Sequence, residues 1–173
     1  MLERSPKRSW LDDVTGFGKI TVEPLEWLPL EFICFHLRPE DRTEVFGMFP
    51  EDNALALAAA VHHAVAKNGC GWVARFNGRP AGCIGVAENH PGCWQLYSFG
   101  TDTYPRVAAF FKPKLDKMIG FARERGMHRL ECKSHITHRA AHRYIGLLDL
   151  RLEGTLVKYG KDGCDYLQFA RTW

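Results

Sequence analysis

Trp94-Gln95-Leu96-Tyr97-Ser98-Phe99 reads as a half-buried strand, and Gly100-Thr101-Asp102-Thr103-Tyr104-Pro105 as the turn that ends it. From about Arg106 to Arg125, Val107, Phe110, Phe111, Leu115, Met118, Ile119 and Ala122 recur at threes and fours, the period of an amphipathic helix. Pro113 inside this stretch removes a backbone donor and should kink or split the helix, and Gly126 ends it. A second strand follows (Met127 to Cys132), then a short helix (Thr137 to Leu148). Strand, turn, helix and strand in that order make the two strands parallel neighbours, with the turn at their carboxyl ends, where open α/β sheets bind ligands.

Outward from this unit the signals are mostly antiparallel. Asn77-Gly78 between Trp72–Phe76 and Ala81–Val86 is a hairpin signal. Glu88-Asn89-His90-Pro91-Gly92 marks another turn, and Gly160-Lys161-Asp162-Gly163 joins two closing strands, Leu152 to Tyr159 and Cys164 to Ala170. Thr21–Trp27 and Glu31–Leu37 read as strands parted by Pro29, the second carrying the β-type bulk of Phe32, Cys34 and Phe35. Pro39 with Glu40 and Asp41 opens a short helix, and Asn53 caps an alanine-rich one from Ala54 to Lys67, closed by Asn68-Gly69.

Composition restricts the classes open to the chain. Its 173 residues suit one domain, read as Ile20 to Trp173 behind an N-terminal arm of residues 1–19. A hydrophobic share of 46%, a charged share of 25% and a net charge of +3 are ordinary for a globular protein and argue against nucleic acid as the main partner. No apolar run approaches the length of a membrane span, and the N-terminus lacks the apolar core of a signal peptide. Six scattered cysteines without a CxxC pair read as reduced thiols, so the expected location is the cytoplasm.

The order of elements resembles the GNAT family of N-acetyltransferases over roughly Ile20 to Arg171. The carrying segments are His36-Leu37-Arg38-Pro39-Glu40-Asp41, the hairpin Gly71 to Gly82, and Ala141-His142-Arg143-Tyr144-Ile145-Gly146-Leu147-Leu148-Asp149-Leu150 with Glu153-Gly154. The nearest likeness is to the acetyltransferase-like proteins of tailed phages, some of them internal virion proteins. The resemblance implies a mixed, mostly antiparallel sheet flanked by helices, with one central parallel pair splayed at its carboxyl ends. It implies acetyl-CoA as co-substrate and an amine-bearing acceptor, on a small molecule or on a host or virion protein. A homodimer is compatible with it. The alternative is a non-catalytic GNAT-fold phage protein with a degenerate CoA site.

In that family the pantetheine of the cofactor pairs with the fourth strand, and the pyrophosphate sits on amides at the start of the next helix, a helix-terminus anion site. The corresponding positions here are Tyr97, Ser98, Phe99 and Gly100, then Thr101, Thr103 and Arg106, with His138 at an asparagine position of the last helix. The usual Gln/Arg-x-x-Gly-x-Gly/Ala is missing: only Gly100 stands nearby, and Asp102 brings a negative charge. Thr103 as cap and Pro105 in the first turn account for the same residues without a ligand. Tyr144 is a candidate general acid for the departing thiolate, and Glu88, His90 and Tyr97 are candidate bases. Glu44, Met48, Asp52, Trp27 and Tyr159 fall in the segments that build the acceptor groove. His138 and His142 have a metal-ligand spacing, but His135 and Cys132 alone could complete the set, and no metal is expected.

Overall fold

A computed structural model describes Gly18 to Trp173; of the expected N-terminal arm, residues 1–17 lie outside the described residues. In chain order the elements are β1 (Ile20–Pro24), α1 (Trp27–Phe35), α2 (Pro39–Phe46), α3 (Ala54–Asn68), β2 (Gly69–Phe76), β3 (Arg79–His90), β4 (Cys93–Gly100), α4 (Tyr104–Val107), a 3-10 turn (Ala108–Phe111), α5 (Lys112–Arg123), β5 (Arg129–His135), α6 (Arg139–Leu147), β6 (Arg151–Leu156) and β7 (Tyr166–Thr172). The strands form one sheet in the order β1-β2-β3-β4-β5-β7-β6. Among the described residues only β4 and β5 pair in parallel.

Strand alternation divides the interior between the two faces of the sheet. Ala74, Ile84, Leu96 and Leu130 face one way and pack with Val107, Phe111, Leu115, Met118 and Ile145. Val73, Cys83 and Phe99 face the other and pack with Leu30, Ile33, Phe46 and Leu57. The Asn77-Gly78 hairpin has positive φ at both positions, as its tight turn requires. Asn53 caps α3 by accepting from the Ala56 amide.

Two expected elements differ. Glu31–Leu37 is not a strand: Trp27–Phe35 is helix α1, and β1 stops at Pro24. Pro29 does not separate two strands but stands in the first turn of the helix, where its missing N–H costs nothing. Leu30, Ile33 and Cys34 are buried together at helical spacing, so packing on α3 overrides the β preference of Phe32 and Phe35. The crossover helix splits as expected at Pro113, which takes a first-turn place in α5, with the 3-10 turn filling the break.

Candidate active site

β4 and β5 pair only from Cys93 to Gln95 and from Arg129 to Glu131. Beyond that the strands part, and a cavity of about 280 Å³ opens between them. One wall is Leu96 to Phe99 of β4 and another is Ala141, Tyr144 and Ile145 of α6. Arg38, Asp41 and Glu44, at the start and along one face of α2, close its depth together with His138.

The α2 residues form a buried polar cluster with both diverging strands. Asp41 is 2% exposed; its Oδ2 accepts the Gly100 N–H at 2.7 Å and its Oδ1 accepts from the Arg38 guanidinium at 2.8 Å. Burial pushes the Asp41 carboxyl pKa up, against the pull of Arg38 and the Gly100 amide. Glu44 Oε2 accepts from the Ser134 hydroxyl at 2.5 Å, the His135 amide at 2.9 Å and His138 Nδ1 at 3.0 Å. A carboxylate only accepts, so His138 carries a proton on Nδ1. His138 is 6% exposed, and its Nε2 has no hydrogen-bond partner among the described residues; the nearest charge is Asp41 Oδ1 at 3.8 Å. Burial works to lower the imidazole pKa, but the hydrogen bond to Glu44 and the charges of Glu44 and Asp41 outweigh it and raise the value above the ordinary 6.5. A buried imidazole with one nitrogen fixed by a carboxylate and the other free beside a cleft is the arrangement of a positioned general base.

The expected site residues are only partly gathered here. Tyr97, Ser98 and Phe99 line the cleft. The Tyr97 side chain leaves it: the ring packs with Phe99 on the α1–α3 face and the hydroxyl lies against Gly71 and Gly85, so it is no base for this site. Glu88, expected as a base, faces Trp94 at the start of β4, the end away from the splay, and accepts from Asn68. His90 ends β3 at the same far side.

The turn after β4 also departs from the expected phosphate cradle. Thr101 donates its amide and hydroxyl to the Ala81 carbonyl, and Thr103 shares a hydroxyl–hydroxyl bond with Thr101. Arg106 does not point to the cleft mouth, because its guanidinium lies over the Phe76 ring, 5.2 Å from the centroid. His138 belongs to the floor of the cleft, not to a phosphate-binding face. His135 and His142 turn to other partners, Thr137 and the His135 carbonyl.

Tyr144 does stand in the cleft wall, but its hydroxyl donates to the Ala108 carbonyl at 2.9 Å, and burial pushes its pKa up to about 12. It ties α6 to the segment after α4, and an acid role would require that bond to be exchanged. Tyr144→Phe is therefore expected to cost about 0.5–1.5 kcal/mol of stability, the net worth of one such bond, while leaving turnover within a few-fold. Urea unfolding and steady-state kinetics on the same variant check both; a large loss of turnover would restore the tyrosine to the chemistry.

Sequence reasoning placed Glu44 in the acceptor groove and missed Arg38 and Asp41 as site residues. The signal available was the spacing of Arg38, Asp41 and Glu44, which puts all three on one face of a helix.

No family model and no curated protein sequence matches the chain. Solved structures do. A ribosomal-protein-alanine N-acetyltransferase from Brucella melitensis superposes with a TM-score of 0.67 at 15% identity, over 88% of this chain and 99% of that one. Mycobacterium smegmatis RimJ in complex with CoA-disulfide gives 0.66 at 13% identity, over 90% and 83%. An acetyltransferase of the GNAT family from Streptococcus pneumoniae gives 0.60 at 14% identity, over 88% and 98%. The seven-stranded sheet with its single splayed parallel pair is the GNAT acetyltransferase fold.

Proposed function

We propose that the chain is an N-acyltransferase that moves an acetyl group from a pantetheine thioester, acetyl-CoA in the first instance, to an amine on a small molecule or protein. The observation that carries this reading is the cleft between β4 and β5, which puts an unpaired strand edge beside His138 with its free Nε2. Gly100 turns its N–H and carbonyl to α2, so by strand alternation the N–H and carbonyl of Ser98 face the same side, toward the opening. An extended amide-bearing arm can pair there as a strand would.

The proton chemistry falls to α2 and His138. Nε2 takes a proton from the acceptor amine, Glu44 holds the Nδ1 proton, and the carboxylates of Glu44 and Asp41 stabilise the imidazolium that results. The amine nitrogen bonds to the acyl carbon, the carbon–sulfur bond breaks, and the thiolate leaves with a proton that the imidazolium can return.

A second reading, a non-catalytic GNAT-fold protein acting as a virion component or host-protein interactor, has the altered turn after β4 in its favour. The buried His138–Glu44 pair weighs against it, because buried charges are costly to stability and concentrate at sites of chemistry. Likeness to tailed-phage proteins suggests a host or virion protein as the acceptor. Among the described residues no helix is long and apolar enough to cross a membrane.

The test is thiol release from acetyl-CoA by the full chain, followed with a thiol-reactive dye against amino acids, polyamines and peptide N-termini. Amine-dependent release supports transfer. Absence of both release and acetyl-CoA binding at millimolar concentration would leave the non-catalytic reading.

A further inference from the structure

We infer that the donor is recognised through its pantetheine arm alone, with no purchase on a nucleotide diphosphate; this rests on the acyltransferase reading above. A diphosphate brings two adjacent anionic groups, and a protein holds them with several convergent N–H donors or with arginine and lysine. The turn after β4 is where the fold would supply those donors. From Gly100 to Arg106 its N–H groups are committed except that of Asp102, which has no acceptor among the described residues.

Gly100 donates to Asp41 Oδ2 at 2.7 Å. Thr101 donates to the Ala81 carbonyl at 2.9 Å, Tyr104 to the Thr101 carbonyl at 2.8 Å and Arg106 to the Thr103 carbonyl at 3.0 Å. Thr103 directs its amide to the Thr101 hydroxyl at 3.4 Å, and Pro105 has no N–H. The helix that follows, α4, is one short turn of four residues. Gly100 is not kept small for a phosphate either. A Cβ there would meet the Ala81 carbonyl oxygen at 2.5 Å and Tyr104 Cβ at 2.6 Å, so its lack of a side chain serves the packing of β3 and Tyr104.

The charges agree with the amides. Asp41 places its carboxylate on the very amide that ends β4, and Asp102 stands exposed in the turn. Of the nearby cations, Arg106 is turned onto Phe76, Arg79 lies over the Phe32 ring, and Arg38 is held by Asp41. An anion in this place would meet two carboxylates, one open amide at Asp102, and arginines already engaged with Phe76, Phe32 and Asp41. The cleft below the turn is different: its β4 edge and its floor offer hydrogen-bond partners to an uncharged amide chain ending in a thioester. The substrate class is thus an acyl-pantetheine, whatever the arm is attached to.

The experiment is a pair of isothermal titrations of the full chain, one with CoA and one with pantetheine, repeated for CoA on Arg106→Ala. The expected result is two dissociation constants within about tenfold of each other, and no more than a twofold change for the variant. In a working diphosphate cradle, loss of two charge-assisted hydrogen bonds would separate the ligands by about a hundredfold or more. Such a gap, or a tenfold weakening by Arg106→Ala, overturns the inference and leaves the acyltransferase reading standing. Binding of neither ligand overturns both.

Discussion

His138→Gln should slow acyl transfer by about 10²–10⁴-fold, the range for loss of a positioned acid–base group, with donor affinity unchanged. The side chain acts on the proton of the amine and not on the donor's arm, so the loss belongs to the rate. The pH profile separates this role from a structural one. The base works in its neutral form, and its folded-state pKa is raised above 6.5, so the rate should climb with pH through a limb lying above that value. Glu44→Gln removes both the hydrogen bond and the leading charge that raise it, and should move the limb to lower pH while reducing the rate. The same residue governs a slope in stability. A raised histidine pKa contributes stability that is fully present below 6.5 and is lost as pH rises through the folded-state value. His138→Gln should flatten that slope in thermal melts taken across the range. Residual activity with an unmoved pH limb in His138→Gln would take the imidazole out of the reaction.

Asp41→Ala should cost about 3–5 kcal/mol, the cost of removing one partner from a buried, hydrogen-bonded charge pair. The variant leaves the Arg38 guanidinium and the Gly100 N–H without their acceptor at the largely buried foot of the cleft. Against a typical total stability of about 5–15 kcal/mol this is a large fraction. Urea unfolding reads it as a fall in midpoint with an unchanged slope. Asp41→Asn keeps an acceptor for the Gly100 amide and should recover part of the loss. A cost under about 1 kcal/mol for Asp41→Ala would mean that water reaches the cluster and that the interactions drawn here are minor.

The parallel step was legible because it rests on local patterns: apolar spacing in Val107 to Ala122, the turn residues before it, and one proline that splits it. Helix α1 was not, because Phe32, Cys34 and Phe35 carry a strand's composition while their neighbours Leu30 and Ile33 obey a helix's period. Only the packing of that period on α3 decides between them. The site was less legible for a related reason. Glu44 and His138 meet across 94 residues, and Asp41 reaches Gly100 across 59. No spacing in one sequence announces such pairs. Tyr144 drew notice from its place on the last helix, yet the Ala108 carbonyl that claims its hydroxyl belongs to the segment after α4, 36 residues away. For Arg106 the turn's residues foretold where the helix begins, with Pro105 in its first turn, although the Thr103 side chain makes no cap bond; the direction of the Arg106 side chain was set by Phe76 on a strand that the turn's own residues do not mention.

Helix α2 holds one diverging strand with each of two carboxylates, Asp41 on the Gly100 amide of β4 and Glu44 on Ser134 and His135 of β5. The two residues are a single helical turn apart, so the rise of the helix, about 1.5 Å per residue, works as a ruler laid across the gap. The width of the opening is dimensioned by one rigid part instead of by the sum of many contacts. Any push that slides or tilts this helix therefore acts on both strands and on the imidazole at once, and the gauge of the slot and the readiness of its base change together.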